Sequence, residues 1–392
     1  MLKLFFSLLL FSSLLSSATL EDVIQSSLAK SPSLDVITAR LQANKQSISL
    51  ANQFSNPELL LTRNTLNSSQ AMHQTVLSVK QKLPFFDKRN KRKNVALAEA
   101  NILDEKLQAA KVMLVGQIKK EAYTIWELEA LKKVVYAYIK LTQGNVELYE
   151  AYVSTTDNQH MGIMKARLSL SDLKIELSNL NAKIYSSYAR LSYLSGTEVK
   201  HLELKLSMGE KPNISLLASS LAKNPTLAIK TEEVQKANQK VILADADRYP
   251  DFTLLTGYAY REKYDNYFNF GVGVSLPIYG TEKLQTQRER AKALSLVSAK
   301  ADTKIIITSQ LKTDYAQMLS AYEIYHIIKD DALPQVAHMF ELSNSSISTG
   351  SDLFKYIDVL FQKLSLEKKS IYAIGNYNRA EAQIAQLQGA IQ

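Results

Sequence analysis

The stretch "YFNFGVGVSLPIYG", Tyr267 to Gly280, interrupts a chain otherwise dominated by Ala, Leu, Lys, Gln and Glu. Its even positions are Phe268, Phe270, Val272, Val274 and Leu276; its odd positions are Tyr267, Asn269, Gly271, Gly273 and Ser275. A period of two predicts a β-strand with one apolar face and one small or polar face. The surrounding composition predicts long helix, so this strand needs a partner from elsewhere in the chain.

An internal repeat supplies one. "LAKSPSLDVIT" from Leu28 matches "LAKNPTLAIKT" from Leu221, an offset of 193 residues. The same offset pairs Pro57 with Pro250, Leu83 with Leu276, Pro84 with Pro277, and Gly196 with Gly389. The counterpart of the opening strand is therefore "HQTVLSVKQKLP", His73 to Pro84, with Thr75, Leu77, Val79 and Leu83 on the equivalent face. Each strand is preceded by a proline-opened extended run, "PELLLTRN" from Pro57 and "PDFTLLTGYAYRE" from Pro250. Each half thus predicts one β-hairpin, at about 57–84 and 250–277, with "KYDN" and "TLNSSQ" as the turns.

Long helices follow each hairpin. Asp87 to about Val153 holds no proline, and about 67 residues at ~1.5 Å rise reach ~100 Å. A returning helix is expected over about 161–195, and the second half repeats the plan over about 282–344, kinked at Pro334, and 352–388. Apolar residues recur at three- and four-residue steps, as at Leu103, Leu107, Ala110, Leu114 and Ile118, which is antiparallel coiled-coil spacing. The expected fold is mainly α with a small β part, in two tandem repeats over 19–196 and 217–392. A connector at 197–216 joins them.

The N-terminus reads as a secretory signal peptide: Met1-Leu2-Lys3, the apolar run "LFFSLLLFSSLL", then "SSA", with cleavage expected after Ala18. No later segment approaches 18 uninterrupted apolar residues. There is no cysteine, hence no disulfide and no lipidated cysteine anchor. The formal charge is +9, and the run "DKRNKRK" from Asp87 raises the thought of nucleic acid. Export argues against nucleic acid, and the run reads as a solvated helix start within reach of anionic headgroups.

Two hairpins cannot enclose a core, and the face of Phe268, Phe270, Val272 and Val274 has no partner within the chain. Tyr258, Tyr260, Tyr264 and Tyr267 near the turn suit the headgroup level of a transmembrane barrel. An open sheet cannot sit in lipid, so the barrel must close between chains, with eight strands from two copies or twelve from three. The competing expectation is a soluble β subdomain on a periplasmic coiled-coil structural or adaptor protein.

"TLEDVIQSSLAKSPSL" from Thr19, "LANQFSNPEL" from Leu50, "LPFFDKRNKR" at Leu83, "LPIYG" at Leu276 and "LPQVAHMFELSNSSISTGSDLFKYIDVL" from Leu333 together resemble the TolC-type outer-membrane efflux family over essentially the whole mature chain. The resemblance implies a homotrimer with a twelve-stranded barrel in the outer membrane of a Gram-negative bacterium and an α-helical tunnel through the periplasm. It also implies a periplasmic adaptor and an inner-membrane pump of the RND type as partners, with no cofactor and no enzymatic activity. "NQHMGIMKARLSLSDL" looks most like the heavy-metal cation branch. The lipid-facing residues would be Leu77, Val79, Phe268, Phe270, Val272 and Val274.

In such a duct the control point is the tunnel tip, near Asp157 and Gly350, where Asp157 departs from the family's glycine. Asp157, Asp352 and Asp358 would form acidic rings in a trimer; the plainer role of Asp352 after Gly350 is an N-cap. "HMGIM", His160 to Met164, invites a soft-metal reading, although methionine at this spacing is ordinarily packing. His73, His201, His326 and His338 are scattered, and no HExxH, GxSxG or phosphate-cradling loop is present. Asp330 and Asp331 are helix neighbours that point apart, which disfavours an acid–base pair.

Overall fold

A computed structural model describes residues 18–64, 73–85, 87–152, 157–347 and 353–391. The expected leader lies outside them except for Ala18. The chain opens with β1 (Ala18–Thr19), α1 (Leu20–Lys30) and α2 (Pro32–Ala51), then the hairpin strands β2 (Glu58–Arg63) and β3 (Gln74–Leu83). Helices α3 (Lys88–Tyr152) and α4 (Asp157–Ser195) follow. The connector holds β4 (Leu202–Glu203), which pairs in parallel with β1, and α5 (Ile214–Ser219). The second half repeats the order with α6 (Pro225–Ala246), β5 (Phe252–Arg261), β6 (Tyr267–Val274), α7 (Thr281–His326), α8 (Leu333–Ile347) and α9 (Leu353–Leu387).

The repeat is visible in the backbone. Residues with left-handed φ occur at Asp87 (68°) and Gly280 (73°), and again at Gly196 (67°) and Gly389 (76°), each pair at the same sequence offset. Asp87 tolerates this conformation because its side chain makes a local hydrogen bond, accepting from Asn90 Nδ2 at 2.5 Å. Pro334 does not break its helix. A π-turn over Ile327–Ala332 precedes it, with the Leu333 N–H donating to the Ile328 carbonyl. This local rewinding absorbs the donor that proline removes.

Two compact units emerge. One gathers the described residues of Met1–Pro32, Lys111–Leu221 and Thr308–Gln392; the other gathers Ser33–Ala110 and Ala222–Ile307. The first is helical. In α4, Ile163, Ala166, Leu170, Leu173, Leu177, Leu180 and Ile184 alternate steps of three and four and pack against Leu128, Leu131, Val135 and Val146 of α3 and Leu360 and Leu364 of α9. That is a coiled-coil seam, since such spacing keeps one stripe facing its partner along the whole helix. Within this unit Arg379 Nη2 donates to the buried Glu127 Oε2 at 2.6 Å. Burial pushes the Glu127 carboxyl above its ordinary range, with Arg379 pulling the other way. Gly375 permits the contact: a Cβ there would run into Glu127 Oε2.

The second unit holds a four-stranded antiparallel sheet in the order β2-β3-β5-β6. Its central seam, β3 against β5, joins the two repeats over ten residue pairs from Gln74↔Arg261 to Leu83↔Phe252. A latch closes the end of that seam. Lys88 Nζ donates to the Tyr249 carbonyl at 2.7 Å and to Asp251 Oδ1 at 2.8 Å, while the Phe85 N–H donates to the same Asp251 oxygen at 2.8 Å. Phe85 stacks on Tyr249 with centroids 5.5 Å apart. The basic run is therefore not uniformly solvated: Lys88 is only 3% exposed, and the Arg89 guanidinium lies 3.7 Å from the Phe54 ring centroid. A lysine buries its amine when an opposite charge and a carbonyl replace the lost water.

Two predictions follow from these ion pairs. Arg379→Ala leaves Glu127 buried without its cation and should cost about 3–5 kcal/mol, whereas Glu127→Gln should cost far less; thermal unfolding of both variants checks the asymmetry. Asp251→Asn leaves the buried Lys88 amine the Tyr249 carbonyl and the Asp247 carboxylate 4.0 Å away, and should cost about 1.5–3 kcal/mol, more than Lys88→Met, which leaves a carboxylate with access to water. Burial pushes Asp251 up, but the Lys88 and Phe85 hydrogen bonds outweigh it and hold the carboxyl below its ordinary 3.8. The folded state thus binds this proton less readily than the unfolded chain. Its contribution is present above the ordinary aspartate range and disappears as pH falls below it, and unfolding of Asp251→Asn should lack that component.

Candidate functional site

Strand register assembles one continuous apolar face. Leu61↔Leu77↔Tyr258↔Phe268 form one row and Leu59↔Val79↔Thr256↔Phe270 the next. Leu254↔Val272 and Phe252↔Val274 extend the stripe along β5 and β6. The six residues named above for lipid contact, Leu77, Val79, Phe268, Phe270, Val272 and Val274, lie on this one apolar face and are exposed, up to 80% for Phe268 and 74% for Phe270. Register adds Leu59, Leu61 and Tyr258, which the β6 pattern alone did not reveal; the repeat offset from Phe252 and Leu254 was the available signal.

The opposite face is small or polar. Ala259, Ser78 and Gly257 are buried on it, with Asn269, Gly271 and Gly273 alongside. A Cβ at Gly257 would meet Ser78 Oγ at 2.6 Å and Asn269 Oδ1 at 3.0 Å, so the sheet is tightly packed toward this side. Small residues on one face let a sheet curl that way. The pattern is inverted relative to a water-soluble sheet, whose apolar face is covered and whose polar face meets solvent.

The turn end of the apolar stripe finishes in polar groups on the same face. Arg63 Nη2 lies 2.8 Å from His73 Nε2, and His73 Nδ1 lies 3.5 Å from Glu262 Oε2. On the opposite face of the same end, the Arg261 guanidinium sits 4.9 Å from the Tyr267 ring centroid and 5.4 Å from that of Tyr264. Apolar band, then aromatic and charged rim, is the order of layers across a membrane interface. Among the described residues, no helix is long and apolar enough to cross a membrane. Among the described residues β2 and β6 have one strand neighbour each, so the sheet carries two open edges there.

At the helix ends, Asp157 begins α4, while Gly350 and Asp352 lie outside the described residues. Asp358 is exposed on α9, but its Oδ1 is 2.5 Å from Lys165 Nζ of α4, and Lys165 also sits 3.5 Å from the Phe354 ring centroid. Its charge is balanced within the chain. Met161 and Met164 are exposed and separate, and no group of three His, Cys, Asp or Glu side chains converges among the described residues. Asp330 pairs with His326 Nδ1 at 2.9 Å and Asp331 accepts from Gln335 at 2.6 Å, so the neighbouring acids face different partners.

No curated protein matches the sequence closely. Solved structures match its fold at low identity. CusC is 13% identical with a TM-score of 0.81, covering 96% of this chain and 93% of its own. The outer membrane protein VceC of Vibrio cholerae is 16% identical with a TM-score of 0.79, covering 95% and 96% respectively. The open-state MtrE outer membrane channel of Neisseria gonorrhoeae is 13% identical with a TM-score of 0.81, covering 95% and 89%. The family described as Outer membrane efflux protein matches residues 23–197 and again 216–391, once per repeat. A strand-poor helical chain with an inside-out sheet, duplicated and matched across both halves, belongs to the outer membrane efflux protein family, the TolC-type channels of the Gram-negative outer membrane.

Proposed function

We propose that three copies of this chain close their sheets into a twelve-stranded barrel in the outer membrane and their helices into a periplasmic tunnel. The family is one of efflux channels, not of enzymes, and its members act as exit ducts of tripartite systems with an adaptor and an inner-membrane pump. The single observation that carries the closed barrel is the exposed apolar face on a sheet with two open edges. Hydrocarbon satisfies the face, but it leaves every unpaired edge N–H and C=O at a cost of several kcal/mol. Ten residues of β3 or β5, inclined by about 45°, rise ~23 Å, close to the apolar band of such barrels.

The duct is passive, and the energy comes from a pump of the RND type reached through the adaptor. Leu77, Val79, Phe268, Phe270, Val272 and Val274 face lipid, and the glycine-rich face lines the lumen. Asp157 and Asp352, at the helix turns, form acidic rings that favour cations at the aperture. Asp358 contributes less, since Lys165 already balances it.

Cell fractionation should recover the chain with outer-membrane lipid and require detergent for extraction. A water-soluble periplasmic monomer would instead support the coiled-coil adaptor reading. Phe270→Arg, near the middle of the outer face, should cost roughly 2–4 kcal/mol and reduce the yield of assembled oligomer. Normal assembly of that variant would overturn the assignment of this face to lipid.

A further inference from the structure

Strand register sorts the charged residues of the sheet by face. On the apolar face of the described strands the only charged residue is Arg63, at the turn end. The opposite face holds Glu58 of β2, Lys80 and Lys82 of β3, and Arg261 of β5. Hydrocarbon excludes charge from the first face, so charge on a strand falls to the second. Folding leaves the sign of that charge open, and here it is positive.

Glu58 is shared. Lys80 Nζ lies 3.0 Å from its Oε2 and Lys82 Nζ 3.8 Å from its Oε1, so one carboxylate serves two amines. A positive charge is left over, and the Lys82 side chain is 61% exposed. Arg261 meets a carbonyl instead of a carboxylate, its Nε donating to the Asp265 backbone oxygen at 2.8 Å. The strand does not need these lysines to form. At the repeat offset their places are taken by Gly273 and Ser275, and β6 pairs with β5 all the same.

Resting on the proposed duct, we infer that this face gives the barrel a preference for anionic solutes, such as carboxylates and phosphates, over cations of equal size. Lys80 and Lys82 are the specificity-determining residues, and three copies set three such patches around one lumen. Fixed amines raise the local potential of a pore, concentrating anions and depleting cations within about one Debye length, ~10 Å at 0.1 M salt. The preference is opposite in sign to that of the acidic rings proposed at the helix turns and independent of them.

The chain has no cysteine, so one engineered thiol reads the potential without background. Thr253→Cys places it opposite Lys82 in the β3–β5 register, on the same face and ~5 Å away between Cβ atoms. Its rates of modification by an anionic sulfonatoethyl and a cationic trimethylammonioethyl methanethiosulfonate are measured on the oligomer in isolated outer membranes. The ratio of the two rates cancels changes in thiol reactivity and reports the local potential. Adding Lys80→Gln and Lys82→Gln should lower the anionic-to-cationic ratio about three- to ten-fold in ~0.1 M salt, and in ~1 M salt the difference should nearly vanish. Glu58→Gln should move the ratio the other way. Arg261→Gln, about 27 Å along β5, should leave it unchanged.

An unchanged ratio in the lysine variant, or a shift of the same sign in Glu58→Gln, would overturn the preference. A shift from Arg261→Gln as large as that from the lysines would overturn their assignment as its source. If the double exchange does not assemble, Lys82→Gln alone, whose contact with Glu58 is the looser, gives the same readout at smaller amplitude. A thiol that reacts with neither reagent in an assembled oligomer would overturn a solvent-filled lumen on this face, and the preference with it. Recovery of the parent chain as a soluble monomer would instead defeat the duct reading, an outcome read before any thiol is modified.

Discussion

Backbone hydrogen bonding without water is the constraint on which this molecule depends. A strand in hydrocarbon has no solvent to satisfy its N–H and C=O groups, so every strand must have a neighbour on each side. β3 and β5 have two; β2 and β6 have one. The sheet is therefore incomplete as a single chain, and its burial pattern is the reverse of a soluble sheet. The large side chains Phe268, Phe270 and Leu61 are exposed, while Ala259, Gly257 and Ser78 are packed away. Both features have one explanation in the outer-membrane location of the family.

The helices answer a different requirement. They form a structure whose backbone is satisfied within each helix, so their only task is to pack one stripe and leave the other faces free. The alternating three- and four-residue steps of α4 do this over several turns. Within this packing the buried Glu127 is paired with Arg379, and a buried pair of this kind adds little net stability even though breaking it is costly. At the boundary between strand and helix in the other unit, the Lys88–Asp251 latch makes the exit of the first repeat's hairpin depend on the entry of the second's. The duplicated halves are thereby locked as one sheet and not as two independent hairpins.

The halves are not identical. Lys88 corresponds to Thr281, so the second junction has no equivalent amine, and Asp87 corresponds to Gly280. The π-turn before Pro334 likewise occurs in the second half alone among the described residues. These differences are local, and the left-handed residues remain at matching positions, because the turn from strand to helix needs that backbone conformation whichever side chain supplies it.

Sequence alone determined the strand with a two-residue period in Tyr267–Val274, its counterpart at the repeat offset, the hairpin in each half, and the long helices. Each of these is a local pattern: side-chain alternation, proline placement and apolar spacing are properties of neighbours along the chain. It also pointed to the residues of the apolar face, since period two assigns a face as soon as a strand is recognised. Tertiary structure alone decided that the two hairpins join through β3 and β5, which brings Tyr258 into line with Leu61 and Leu77 on one face, and that Lys88 is a buried anchor and not a solvated charge. The β3–β5 pairing and the burial of Lys88 depend on contacts between residues more than 150 positions apart, such as Lys88 with Asp251, and no local spacing encodes which distant carboxylate will be waiting for a buried amine.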